Sequence, residues 1–153
     1  MKGTARVRAA LEAARLDVNI VELQESARTA QLAADALGAA LGSIVKSLLF
    51  LADGEPVLVL VAGDRRADPA RLKELLEARR VMIADAERVR SETGFSIGGV
   101  PPIGHRQPLQ TWIDSSLGRF ETVYAAAGHP RAVFSIPFET LVHITSGRVD
   151  DIT

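Results

Sequence analysis

The chain has 153 residues, 47% hydrophobic and 24% charged, with a formal net charge of −1, enough for one domain (residues 1–153) that buries roughly two-thirds of its unfolded surface. It has no cysteine, which excludes disulfides, thiolate metal sites and thiol redox chemistry, and its near-neutral charge excludes a protein that wraps long nucleic acid by neutralising many phosphates. No apolar run approaches the ~20 residues of a membrane span, and "MKGTARVRAALEAARL" threads charge where a secretory signal is apolar, so a cytoplasmic protein with no membrane partner is expected.

In chain order, residues 4–16 place Val7, Ala10, Leu11 and Ala14 at helical spacing. "NIVEL" (19–23) is a short strand. Thr29 is a predicted N-cap for "AQLAADALG", and Gly38 is its stop signal. "SIVKSLLF" (43–50) and "VLVLV" (57–61) flank the turn "DGEP" and form a predicted antiparallel hairpin. The second of these strands is apolar on both faces, so it is expected to be central. Asp68-Pro69 opens a helix over "DPARLKELLEARR", and "DAERVRSETG" is a shorter one closed by Gly94. A Gly- and Pro-rich loop covers 98–108. Strands return at "TWID", "ETVYAAA" and "RAVFSI", and Pro137 starts a last helix, "FETLVHIT". Helices and strands mix without strict βαβ alternation, so the expected class is α+β, with a mixed, curved, barrel-like sheet flanked by helices.

Candidate chemistry is sparse. "GFSIG" (94–98) matches G-x-S-x-G, but Gly99, Pro101 and Pro102 follow at once, where a nucleophile elbow requires a helix. His105, His129 and His143 stand 24 and 14 positions apart, without metal-ligand spacing. Neither phosphate-cradling glycine pattern is present, and the sequence calls for no metal and no cofactor. Two arginine pairs, Arg65-Arg66 and Arg79-Arg80, are local clusters that could touch nucleic acid or simply be solvated. The anomaly is Lys46, which shares its strand face with Ile44, Leu48 and Phe50. An uncompensated ammonium in a core costs several kcal/mol or loses its proton. Lys46 is therefore either an edge or snorkelling lysine, or a cation lining a cleft.

Four segments resemble the YbaK/ProX family, free-standing aminoacyl-tRNA deacylases related to the editing domain of bacterial prolyl-tRNA synthetase: "SIVKSLLF", "TGFSIGGVPPIGH", "WIDSSL" and "YAAAGHPRAVFSI". The resemblance runs from about Thr29 to the C-terminus. It implies hydrolysis of the ester that joins a wrong amino acid to the 3′ end of tRNA, acting in trans on the acceptor end, with prolyl-tRNA synthetase or an elongation factor as a candidate partner. It implies a catalytic role for Lys46 beside the terminal nucleotide or ester oxygen, with backbone groups of Gly98 and Gly99. It implies that Val100, Pro101 and Pro102 position the aminoacyl group, with Leu32, Ser47, Leu48, Gly128 and His129 as further substrate-binding residues. Asparagine tends to follow this lysine in alanine-specific members and a small hydroxyl residue in cysteine-specific ones, so Ser47 leans away from alanine. The alternatives are a non-catalytic binding module of the same fold and a hydrolase of small aminoacyl esters.

Overall fold

The computed structural model describes residues 2–24 and 29–153. In chain order it runs α1 (Lys2–Ala13), β1 (Ile20–Glu22), α2 (Ala30–Leu37), β2 (Val45–Ala52), β3 (Glu55–Ala62), α3 (Pro69–Leu75) and β4 (Val81–Ile83). It continues with α4 (Ala86–Thr93), β5 (Gln110–Asp114), β6 (Thr122–His129), β7 (Ala132–Pro137), α5 (Phe138–Thr145) and β8 (Arg148–Asp150). The mixed α+β architecture is the one expected. Its strands divide into a five-stranded sheet, β4-β2-β3-β5-β8, and a three-stranded one, β1-β7-β6. A parallel bridge between Ile44 and Tyr124 joins the two.

The local signals act where the sequence places them. Thr29 Oγ1 accepts from the Leu32 amide and caps α2, which ends on left-handed Gly38. Asp68 and Asp85 cap α3 and α4 in the same way, each supplying an acceptor to an amide the helix leaves unpaired. Asp53 and Gly54 both take positive φ, at 50° and 85°, the geometry that turns β2 back onto β3 without splaying the hairpin. β3 is central, with Val57 through Ala62 all buried. Its side chains alternate between two cores: Val57, Val59 and Val61 meet Leu72 of α3, while Leu58, Leu60 and Ala62 meet Val7 and Leu11 of α1.

Two elements depart from the sequence expectation. The helix over "DPARLKELLEARR" ends at Leu75, because the Asp53 carboxylate, 26 residues earlier, accepts the amides of Arg79 and Arg80 at 2.9–3.1 Å. The captured segment becomes β4 and pairs with β2. The C-terminal residues form β8, parallel to β5, and Asp114 holds the tail by accepting the amides of Ile152 and Thr153. No helix among the described residues is long and apolar enough to cross a membrane.

Candidate active site

A cleft of about 340 Å³ opens where β2 of the larger sheet approaches β6 and β7 of the smaller. Small side chains make it. Ala30 and Ala33 of α2 form one wall, and Ala125, Ala126 and Ala132 form another. The loop from Ile97 to Val100 closes one side. Thr29 and Ala33 are spaced to face the cleft together from the start of α2.

Lys46 enters this cleft from β2, opposite Val61 in register. Its Nζ donates to the carbonyl of Arg65, in the turn that follows β3 and is tied back by the Gly63 amide on the Ile44 carbonyl at 2.8 Å. Burial pushes the Lys46 ammonium below its usual pKa, the Arg66 guanidinium adds to that, and Asp64 opposes it. Asp64 is otherwise committed: Arg119 grips it through two guanidinium nitrogens, at 2.7 and 3.0 Å. Lys46 thus keeps donors to spare in a mostly apolar cleft whose nearest carboxylate is engaged. Such an ammonium is arranged to meet an anion, or the negative charge that develops on an ester oxygen.

The loop that faces it is fixed by its own bonds. The Gly99 amide donates to the Ser96 carbonyl at 3.0 Å, and Gly98 takes φ 90°. A Cβ on Gly99 would lie 3.0 Å from the backbone of His129, so that glycine lets the loop seat directly on β6. His105 Nε2 donates to the Pro101 carbonyl at 2.6 Å, and burial holds this imidazole below its ordinary pKa, against the pull of that carbonyl. Thr93 Oγ1 donates to the Val89 carbonyl and accepts the Phe95 amide, joining the loop to the end of α4.

The residues singled out from sequence separate into two groups. Lys46, Ser47, Leu48, Gly98 and Val100 line the cleft together. Gly99, Pro101 and Pro102 are buried and do not line the cleft. Leu32 points outward from α2 at 46% exposure. Gly128, at φ 89°, lies at the irregularity of β6 in backbone contact with Gly3 of α1. His129 turns its Nδ1 to the Arg131 amide at 3.0 Å, and Pro130 takes the place at the cleft wall. Among the lining that sequence reasoning missed are the alanines and Tyr124. Their only sequence signals were the run "AAA" in β6 and the i, i+3 pair Ala30 and Ala33, both indistinguishable from core packing.

A second pocket of about 80 Å³ adjoins the cleft and shares Ser47, Leu48, Ile97 and Val100 with it. The Ser47 Oγ between them is buried and has no hydrogen-bond partner among the described residues. "GFSIG" forms no nucleophile elbow: it follows α4, no helix leaves it, and the Ser96 hydroxyl accepts from Arg90 at 3.0 Å.

Comparison with known proteins gives this geometry a family. The aminoacyl-tRNA editing domain profile matches residues 24–144. YwhH of Bacillus subtilis, described as uncharacterized, is 31% identical over 132 residues, covering 86% of this chain and 83% of that protein. A proline–tRNA ligase of Nitratidesulfovibrio vulgaris is 41% identical over 81 residues, but that match spans only 14% of the ligase. A solved structure described as "a putative trans-editing enzyme for prolyl tRNA synthetase" superposes with a TM-score of 0.95 at 40% identity, over 100% of this chain and 98% of that one. The chain belongs to the aminoacyl-tRNA editing domain family, and is by that membership an aminoacyl-tRNA hydrolase.

Proposed function

We propose that the protein acts in trans, in the cytoplasm, on tRNA for proline that carries a small wrong amino acid such as cysteine or alanine. The observation that carries this reading is Lys46, which lines an alanine-walled cleft together with Gly98 and Val100. A water molecule adds to the ester carbonyl, the acyl carbon–oxygen bond breaks, and the ribose oxygen leaves with a proton. The products are the free amino acid and a tRNA with its 3′ hydroxyl restored. Lys46 offsets the charge that builds on oxygen during this addition, the Gly98 backbone faces the aminoacyl group, and Gly99, its amide on the Ser96 carbonyl, fixes the loop. A ribose hydroxyl beside the ester is available to assist, so no protein nucleophile is required.

The side pocket supports a small amino acid. About 80 Å³ has room for only a few heavy atoms, a water's share of liquid volume being roughly 30 Å³. The Ser47 hydroxyl gives that pocket one polar group seeking a partner, which suits a thiol or hydroxyl side chain better than a methyl. Val100, Pro101 and Pro102 set the position of the loop, Leu48 contributes apolar wall, and Gly128 and His129 act through the backbone on which Gly99 rests. Leu32, outside the cleft, is placed to meet the tRNA end. A synthetase or elongation factor would supply the tRNA selectivity that so small a chain lacks.

The test is deacylation of a panel of tRNAs charged with Ala, Ser, Thr, Cys and Pro, by wild type and Lys46→Ala. One mischarged tRNA is expected to lose its amino acid rapidly, and the variant to lose at least about 100-fold in rate, the usual effect of removing one charge-stabilising donor. Absence of turnover across the panel, with aminoacyl-tRNA still bound, would transfer the reading to a non-catalytic binding module.

A further inference from the structure

The turn after β3 carries Arg65 and Arg66 beside the Lys46 end of the cleft, and neither guanidinium has a hydrogen-bond or ion-pair partner among the described residues. Both residues are exposed. The Arg65 carbonyl holds the Lys46 ammonium, so the two arginines are tied in place to the catalytic cation. The carboxylate that bears on Lys46 is already used: Asp64 is held two-pronged by Arg119. Lys46, Arg65 and Arg66 therefore present a local excess of positive charge on a chain whose net charge is −1. A guanidinium fork matches phosphate geometry in particular.

We propose that Arg65 and Arg66 grip the phosphodiester backbone of the acceptor strand as its 3′ end enters the Lys46 cleft. The proposal rests on the deacylase reading for the identity of the strand, but not for the presence of the anion site. It also explains how a nearly neutral protein binds nucleic acid: the contact is a short one at the cleft rim. The other arginine pair, Arg79 and Arg80, lies at the turn end of the β2–β3 hairpin, seven strand residues from Lys46, or about 20 Å away. It serves as an internal control of equal charge.

The experiment measures binding of an uncharged acceptor-stem hairpin RNA by fluorescence anisotropy across a salt series, for wild type, Arg65→Ala/Arg66→Ala and Arg79→Ala/Arg80→Ala. The first double variant is expected to bind about tenfold more weakly, with the slope of log affinity against log salt reduced by about one to two. The second is expected to match wild type. In parallel, hydrolysis of aminoacyl-tRNA is compared with that of 3′-aminoacyl adenosine, which has no phosphodiester. At neutral pH, below the alkaline limb, the first double variant is expected to lose kcat/KM on the tRNA and keep it on the adenosine ester. Equal losses on both substrates, an unchanged salt slope, or equal losses in both double variants would overturn the proposal. If wild type hydrolyses neither substrate, the deacylase reading fails while the hairpin titration still decides the arginines.

Discussion

On one face of the five-stranded sheet, Phe50, Val59, Val61 and Trp112 meet Leu72 and Ile152 and fill the space between them. Where β2 approaches β6, the lining includes five alanines, Ala125, Ala126, Ala132 and, from α2, Ala30 and Ala33, beside larger groups such as Tyr124, and about 340 Å³ stays open. The same hairpin supplies both regions. The difference lies in side-chain volume across the gap, because interiors close to crystal-like density wherever the facing groups are large enough. The backbone around the open region is correspondingly tight: a Cβ on Gly99 would lie 3.0 Å from the His129 backbone, and one on Gly3 only 2.1 Å from the Gly128 carbonyl oxygen, which no Cβ tolerates. Close main-chain packing holds the walls apart, and the alanines leave the space for substrate.

The comparison breaks most severely at Leu72, which is fully buried in the closed face. Leu72→Ala is expected to cost about 3 kcal/mol, the transfer loss plus the cavity. Urea unfolding checks the stability, and kcat/KM measured well below the transition is expected to be unchanged because no cleft residue has moved.

Asp114 tests the same closed side through charge. Burial pushes its carboxyl up, yet the Ser116 hydroxyl and the amides of Ile152 and Ser116, with the Thr153 hydroxyl, outweigh it and hold the pKa below the usual value. A depressed folded pKa contributes stability that is fully present above the unfolded value of about 4, and is lost as pH falls through the folded one. Asp114→Asn is expected to destabilise by about 2 kcal/mol at neutral pH, as a charged acceptor becomes a neutral one. It should also flatten the acid limb of a stability–pH curve recorded from about pH 6 to pH 2.

The open region is sharpened by filling it. Ala126→Leu places a larger side chain in the cleft wall, and kcat/KM on aminoacyl-tRNA is expected to fall about tenfold, equivalent to ~1.4 kcal/mol. The urea midpoint should move little, since the added methylenes have room. A midpoint drop as large as that of Leu72→Ala would mean that the cleft is part of the closed core after all.

The smallest expected effect is a shift in pH dependence. Burial and Arg66 lower the Lys46 pKa, so activity that needs the ammonium declines at a lower pH than an ordinary lysine would give. Arg66→Ala removes one of those two causes, and the alkaline limb of log kcat on 3′-aminoacyl adenosine is expected to move to higher pH. Asp64, held by Arg119, stays in place to favour the charged form in both proteins.

Much of the frame was legible because its causes are local. Thr29, Asp68 and Asp85 cap helices through amides two or three residues away, and Asp53-Gly54 sets a hairpin within four residues. The buried run of β3 needed only its unbroken apolar character. Lys46 stood out because a strand's period of two placed an ammonium among hydrophobes, and the resemblance then attached a chemistry to it.

What the sequence by itself determined, then, was the set of elements specified by neighbours, the hairpin that carries Lys46, and the family. Tertiary structure decided the rest. β4 exists because the Asp53 carboxylate reaches Arg79 and Arg80 across 26 residues, and β8 exists because β5 offers it a parallel partner. Pro130 rather than His129 reaches the cleft wall, because the His129 ring bonds its own turn. An alanine in a strand or helix has the same local physics whether it faces a core or a cavity. Only the placement of α2 near β2 and β6 makes these alanines, with Ile44 and Tyr124, the walls of a site.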